Sequence, residues 1–391
     1  MSVTVLSSQP RVSYHSLTWP EPPFLPFPSL ASATLRNLSA LEGSQTTNKH
    51  TPRSGSMRLT RPSETRRFGL LQIAGEVHHI PEHGRTISGE AGPLVDAGGE
   101  AKTDYYSGGA LDAILSDMVI VVPCKDEELS VIRGVISAIP APCLVILVSN
   151  CPRGGDADEY AQQVAMVKAF GGERRLLLAI HQKDAAAAAA FKEAGMPELC
   201  GADGTIRDGK GEGIILGVAL AAALCPGRRY VGFVDADNFR AGSVNEYCLA
   251  FAAGFAMSPS SRDREDTMVR LKWASKPKLR DNGRVELVKE GRCSRIVNSW
   301  LNKLFASGDK HGTEARNTNF ITTGNAGEHA MTMGLALKLR MAAGYAIEPY
   351  HFVDLLERAH LSVSRVAHGR FASILGRKGT PSQDIFHSDA P

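Results

Sequence analysis

The sequence has no pair of cysteines at metal-ligand or redox spacing. Its seven cysteines, at 124, 143, 151, 200, 225, 248 and 293, form no CxxC. An odd count scattered through a long chain suits core thiols in a reducing compartment, not a zinc site or a disulfide framework. Long hydrophobic runs are missing too. A bilayer span needs about 18–20 apolar residues. The longest candidate, Ile214 to Leu224, is short and Ala-rich, so a buried helix is expected there. Charge of one sign is also scarce: the formal net charge is +3 over 391 residues. That excludes a dedicated nucleic-acid binder, which needs a strong basic excess. Together these absences lead to the expectation of a cytoplasmic protein with neither nucleic acid nor membrane as a partner.

Residues 1–56 are rich in Ser, Pro and Thr and lack any sustained period of 2.0 or 3.6, so they are expected to be a disordered extension. Ordinary sequence begins at Met57. Gly89 to Gly109 is Gly-rich and polar and reads as a loop. From Met118 the pattern alternates. Met118–Val122, Leu144–Val148, Arg175–Ile180 and Tyr230–Val234 read as buried strands. Leu129–Ala138, Asp156–Phe170 and Gly213–Leu224 read as the helices between them. The expected fold class is therefore α/β, a mostly parallel sheet flanked by helices. Ligands of such sheets bind beyond the carboxyl ends of the strands.

Each of the four strands runs into a polar cluster: Pro123-Cys-Lys125-Asp-Glu127, Ser149-Asn150, His181-Gln182-Lys183-Asp184, and Asp235-Ala236-Asp237-Asn238. Residues i and i+2 of an extended segment project to the same side. Two carboxylates so placed repel unless a cation lies between them, and Mg²⁺ or Mn²⁺ prefers such oxygen ligands. A cation held this way takes its remaining ligands from water and substrate phosphates, and neutralises a departing diphosphate. Lys210, in Gly209-Lys-Gly-Glu-Gly213, is expected in a flexible loop within reach of that diphosphate. The segment is no P-loop, because Gly211 stands where Ser or Thr is required, and its glycines do not fit a G-x-G-x-x-G dinucleotide fingerprint, which disfavours a nicotinamide dehydrogenase.

In the second half, Met268–Trp273 alternates like a half-buried strand, and Arg292–Phe305 reads as a helix. Ile321–Ala330 is expected to introduce a helix, with Thr323-Gly324-Asn325 as turn chemistry suited to an anion at its N-terminus. Tyr345–Tyr350 reads as a short strand or turn ahead of a helix over Phe352–His360. His329 and His351 read as structural histidines.

The stretches Val121–Glu127, Val148–Asn150, His181-Gln182, Gly209–Gly213, Tyr230–Asn238, Val244–Tyr247, Ala253–Phe255, Thr323–Met331 and Ile347–Tyr350 jointly resemble the mannosyl-3-phosphoglycerate synthase family of retaining glycosyltransferases. The resemblance covers about residues 57–360. It implies a GT-A-type nucleotide-sugar-binding fold over 57–265, an acceptor-binding part over 266–360 and a divergent tail over 361–391. It implies GDP-mannose as donor, 3-phosphoglycerate as acceptor and a divalent metal, Mg²⁺ in the first instance with Mn²⁺ as the other candidate. By the same resemblance Pro123, Lys125, Glu127, Ser149, Gln182, Lys210, Asp235 and Ala236 form the donor pocket. Asp235 and Asp237 bind metal and act with Lys210 in catalysis, and Thr323, Gly324 and Asn325 take the acceptor phosphate. The family's tail carries a metal-binding His, for which His387 is the candidate here. A homodimer fits this picture. A glucosyl donor, a glycerate acceptor and a non-catalytic nucleotide-sugar binder are the neighbouring alternatives.

Overall fold

A computed structural model describes residues 2–8, 55–62, 65–68, 71–74, 77–78, 103–155, 158–171, 175–238, 241–257, 266–272, 276–279, 284–288, 291–308 and 320–361. In chain order the first strands are β1 (Ser2–Ser8), β2 (Met57–Thr60), β3 (Thr65–Phe68), β4 (Leu71–Ala74), β5 (Val77–His78) and β6 (Thr103–Tyr106). Helix α1 (Gly108–Leu115) follows, opened by Ser107, whose hydroxyl accepts from the Ala110 amide at 3.4 Å. Then come β7 (Met118–Cys124), α2 (Leu129–Ala138), β8 (Leu144–Ser149), α3 (Glu159–Gly171) and β9 (Leu177–His181). Helix α4 (Ala185–Glu193) is capped by Asp184, which accepts from the Ala187 amide at 2.9 Å. The rest are α5 (Lys210–Leu224), β10 (Tyr230–Phe233), α6 (Ala241–Ala256), β11 (Thr267–Lys272), β12 (Lys276–Leu279), β13 (Val285–Val288), α7 (Arg292–Gly308), β14 (His329–Thr332), α8 (Met333–Lys338) and α9 (Ile347–Leu361).

The main sheet runs β3-β4-β1-β11-β14-β10-β7-β8-β9, with β5 beside β1. The block β10-β7-β8-β9 is parallel throughout, as the alternation of apolar strands and helices implied. Antiparallel strands extend it on the other side, from β14 outward. Side chains of β7 and β8 alternate between two cores. Ile120, Val122, Val145 and Leu147 face α1, α2, α3 and α6. Val119, Val121, Ile146 and Val148 face α5 and α9. Burial on both faces explains why these strands are continuous apolar runs. Helix α5 lies so close to β7 that a Cβ on Gly217 would sit 2.4 Å from Val121 Cγ1. Among the described residues no helix is long and apolar enough to cross a membrane. All seven cysteines are free thiols.

Several elements differ from expectation. Ser2–Ser8, assigned by composition to a disordered extension, forms β1 and pairs with β11, Ser2 opposite Lys272. Of the loop expected over 89–109, the part from Thr103 holds β6 and the start of α1; residues 89–102 lie outside the described residues, as do 9–54 and His387. Helix α5 starts at Lys210, three residues early: the glycines that suggest a loop are there for close packing. Met268–Leu271 is buried on both faces, so the alternation that suggested a solvent face conceals a buried Arg270. The segment from Ile321 leads into strand β14, not a helix, because its partners β10 and β11 come from elsewhere in the chain. Glu348 opens helix α9 instead of lying in a strand or turn. Strands β11 and β14 belong to the same sheet as β7–β10, so the parts before and after residue 265 share one core.

Candidate functional site

The four polar clusters lie on one edge of the parallel block. After β7 the chain turns sharply: Asp126 has φ 65°, in the left-handed region. The Lys125 amide donates to Glu127 Oε2 at 2.5 Å, folding that carboxylate back over the strand end. Burial pushes Glu127 up to about 7, against the bond from Lys125, and the neighbouring charge of Asp237 adds to the rise. Pro123 is half-buried and Lys125 exposed beside it. Ser149 is fully buried, and its carbonyl accepts from the Gln182 amide at 2.6 Å. The Gln182 side chain donates to the carbonyls of Arg207 at 2.7 Å and Gly209 at 3.1 Å. Gln182 thereby shapes the backbone immediately ahead of Lys210.

Asp235 follows β10 directly. Lys210 Nζ, on the first turn of α5, lies 2.6 Å from Asp235 Oδ1 and 2.6 Å from Glu348 Oε1 on α9. Burial opposes the charge on Lys210, but the two carboxylates overcome it and hold the ammonium above the usual lysine range. Asn238 braces the motif from behind, donating to the Asp235 carbonyl at 2.9 Å and to buried Glu328 Oε1 at 3.0 Å. Gly327 closes on the other oxygen of Asp235: a Cβ there would lie 2.3 Å from Oδ2. Ala236 is buried, and Asp237 is exposed at the mouth. Asp235 and Asp237, two residues apart after β10, are hard-oxygen side chains of the type that could hold Mg²⁺ or Mn²⁺. Among the described residues no cluster of three or more His, Cys, Asp or Glu gathers at one point.

Thr323, Gly324 and Asn325 lie in the turn before β14. Arg270, with no exposed surface, threads beneath it and donates to the carbonyls of Thr323 at 3.0 Å, Gly324 at 3.3 Å and Ala326 at 3.5 Å. Burial pulls its guanidinium down to about 10, with Glu348 acting the other way. From α7, Asn298 Oδ1 accepts from the Gly324 amide at 2.8 Å, and Asn302 pairs with both backbone groups of Ile321. The expectation of anion-binding amides at a helix N-terminus does not hold here: a strand follows, and the Gly324 N–H is already engaged. Thr323 Oγ1 is buried without a partner, and Asn325 is half-buried.

Sequence reasoning missed Arg270, Asn298, Asn302, Glu328 and, as a site residue, Glu348. A basic residue inside the otherwise apolar Met268–Leu271 and a carboxylate beside Pro349 were the available signals. His329 and His351 meet edge-to-face, 5.2 Å between centroids, in the core behind β14. Burial drives His351 down to about 3 and His329 well below the usual value, so both are neutral.

A family model described as mannosyl-3-phosphoglycerate synthase matches residues 61–382, beyond residue 360 where the resemblance was expected to stop. Mannosyl-3-phosphoglycerate synthase of Pyrococcus furiosus is 44% identical over 245 residues, 62% of this chain and 59% of that protein. The chain thus spans less than two thirds of that relative. The Aeropyrum pernix protein of the same name is 34% identical over 308 residues, 78% of this chain and 74% of that one. A crystal structure of glucosyl-3-phosphoglycerate synthase from Mycobacterium tuberculosis with uridine diphosphate is 18% identical. It covers 68% of this chain and 78% of its own, at a TM-score of 0.40, too loose a likeness to argue from.

Proposed function

The chain belongs to the mannosyl-3-phosphoglycerate synthase family, and on that footing we propose that it transfers mannose from GDP-mannose to the 2-hydroxyl of 3-phosphoglycerate with retention of configuration. The observation that carries this reading is the Asp235-Ala236-Asp237 motif at the carboxyl end of β10, with Lys210 drawn to it at 2.6 Å. A carboxylate pair beside a lysine suits a metal-bound diphosphate. Residues 57–265 supply the donor part and 266–360 the acceptor part, both built on one sheet.

Asp235 and Asp237 would hold a divalent cation, Mg²⁺ as the first candidate, and that cation would supply neutralisation of charge on the departing diphosphate. Lys210 provides a second positive group there. Glu127, folded back over the strand end, suits the paired N–H donors of guanine, with Pro123 and Lys125 beside it. Ser149 and Gln182 shape the floor of the pocket. Thr323 to Asn325 form the wall nearest the acceptor. The acceptor hydroxyl attacks the anomeric carbon on the face that GDP leaves, and the leaving phosphate oxygen takes its proton. The products are GDP and mannosyl-3-phosphoglycerate. No side chain need become covalently attached to the sugar.

The test is GDP release from GDP-mannose with 3-phosphoglycerate and Mg²⁺. Release that requires the acceptor and disappears in Asp237→Ala is expected. Release that is unchanged in Asp237→Ala would remove the metal role. Preference for a glucosyl donor or for glycerate would move the chain to a neighbouring specificity.

A further inference from the structure

Glu348 is the carboxylate whose placement the donor and acceptor roles leave unexplained. It lies on the first turn of α9, is 2% exposed, and touches Lys210 rather than the open mouth of the site. Burying a carboxylate is costly unless a cation accompanies it. A helix N-terminus lowers that cost, and the Lys210 ammonium meets the rest.

We infer that Glu348 is a positioning residue, which keeps the Lys210 ammonium anchored so that Asp235 can turn to a divalent cation. The inference rests on the metal role given above to Asp235. Lys210 and the cation compete for the same carboxylate, because Lys210 Nζ already stands 2.6 Å from Asp235 Oδ1. With two carboxylates on one ammonium, Lys210 can release Asp235 and keep an anionic partner. Were Glu348 neutral, Asp235 would be its only close carboxylate partner among the described residues, and the ammonium would oppose the cation. Two further contacts fix the arrangement. Glu212 Oε2, on the first turn of α5, accepts from the Gly344 amide at 3.0 Å just before α9. Gly211 lies against the backbone of Ala342 and Gly344. The helix that carries Lys210 and the helix that carries Glu348 are thus pinned at their N-termini.

The experiment titrates Mn²⁺ alone into the full chain, followed by electron paramagnetic resonance, with thermal melting alongside. Glu348→Gln should weaken Mn²⁺ binding about 10- to 100-fold, the range for residues that orient metal ligands. Glu348→Asp, which keeps the charge, should stay near wild type. Adding Lys210→Ala to Glu348→Gln should recover much of the lost affinity, because the competing ammonium is gone. A residue serving only the fold would lower the melting temperature and leave Mn²⁺ affinity of the folded fraction unchanged. Folded Glu348→Gln binding Mn²⁺ like wild type, or a double variant no better than the single, overturns the inference and leaves the donor reading intact. The titrations are repeated with GDP, whose phosphates supply further metal ligands, and a wild-type chain that binds no Mn²⁺ either way overturns both.

Discussion

Alanine in place of a helical glycine ordinarily stabilises a protein, by about 1 kcal/mol. Gly211→Ala is expected to do the opposite. A Cβ at position 211 would stand 2.4 Å from the Ala342 carbonyl oxygen, 2.9 Å from the Gly344 nitrogen and 3.0 Å from its oxygen. All three are backbone atoms, so no side chain can swing away. Restoring an ordinary 3.4 Å contact requires the 342–344 segment to move by about 1 Å. That stretches the 3.0 Å bond from the Gly344 amide to Glu212, a carboxylate 3% exposed. Overpacking of this kind costs about 1–3 kcal/mol, and an unsatisfied buried acceptor about 1–3 kcal/mol more. Against the helical gain, a net loss of about 1–5 kcal/mol follows. Because the moved segment leads into α9, Glu348 shifts from Lys210, and a misplacement near 1 Å can lower kcat/KM about 100-fold. Urea unfolding and GDP release measure the two effects. Gly134→Ala in α2 is the control: its Cβ would meet nothing within 4 Å, and a gain of about 0.5–1 kcal/mol is expected. A Gly211→Ala protein as stable and active as wild type would refute the argument that α5 and the approach to α9 are locked together.

Glu127 is raised to about 7 in the free site, so it is largely protonated below that pH and charged above it. Only the carboxylate can accept from two guanine N–H groups, so GDP affinity should rise between pH 6 and 8; an equal rise in Glu127→Gln would discard this role. His329 and His351 stay neutral in the fold, but their unfolded forms gain protons below about 6.5. Their contribution to stability is complete above that pH and declines as pH falls, by about 2.7 kcal/mol per pH unit for two protons. His351 has both ring nitrogens unpartnered, so His351→Phe should fold and show about half that histidine-dependent slope in urea midpoints across pH 4–6; an unaltered slope would exclude it as an acid trigger. Asn302 makes bonds of 2.7 and 2.8 Å to Ile321 and 2.8 Å to the Asn298 carbonyl. Asn302→Ala should cost about 2–4 kcal/mol, and a urea midpoint equal to wild type would mean that the turn before β14 is held by other contacts.

The polar clusters at the ends of the parallel strands were readable in the sequence because their determinants are local. An apolar, β-branched run such as Met118–Val122 declares a buried strand, and the acids after Tyr230–Val234 declare what lies at its end. The rest of the site depends on pairings between distant segments. Four residues, His329–Thr332, become a strand because β10 and β11 leave a gap of one strand, and no short window carries that information. Arg270 reads as a solvent-facing residue until the turn at 323–326 is placed above it. Lys210 reads as a loop residue because glycines usually break helices, whereas Gly211 and Gly217 are there for contact with Ala342 and Val121.

The position of β14 also bears on synthesis. It is inserted between β10 and β11 yet leaves the ribosome after both, so the middle of the sheet is closed by a segment made later than its two neighbours. Gly327 and Glu328, which brace Asp235 and Asn238, arrive with it. A nascent chain that has completed β10 therefore displays the aspartates without their support. At about 5–20 residues per second, the interval between residues 238 and 332 lasts about 5–20 s. A chain interrupted before β14 should accordingly lack the support of Asp235 and Asn238, so that the arrival of β14, rather than the synthesis of Asp235-Ala236-Asp237, completes the arrangement.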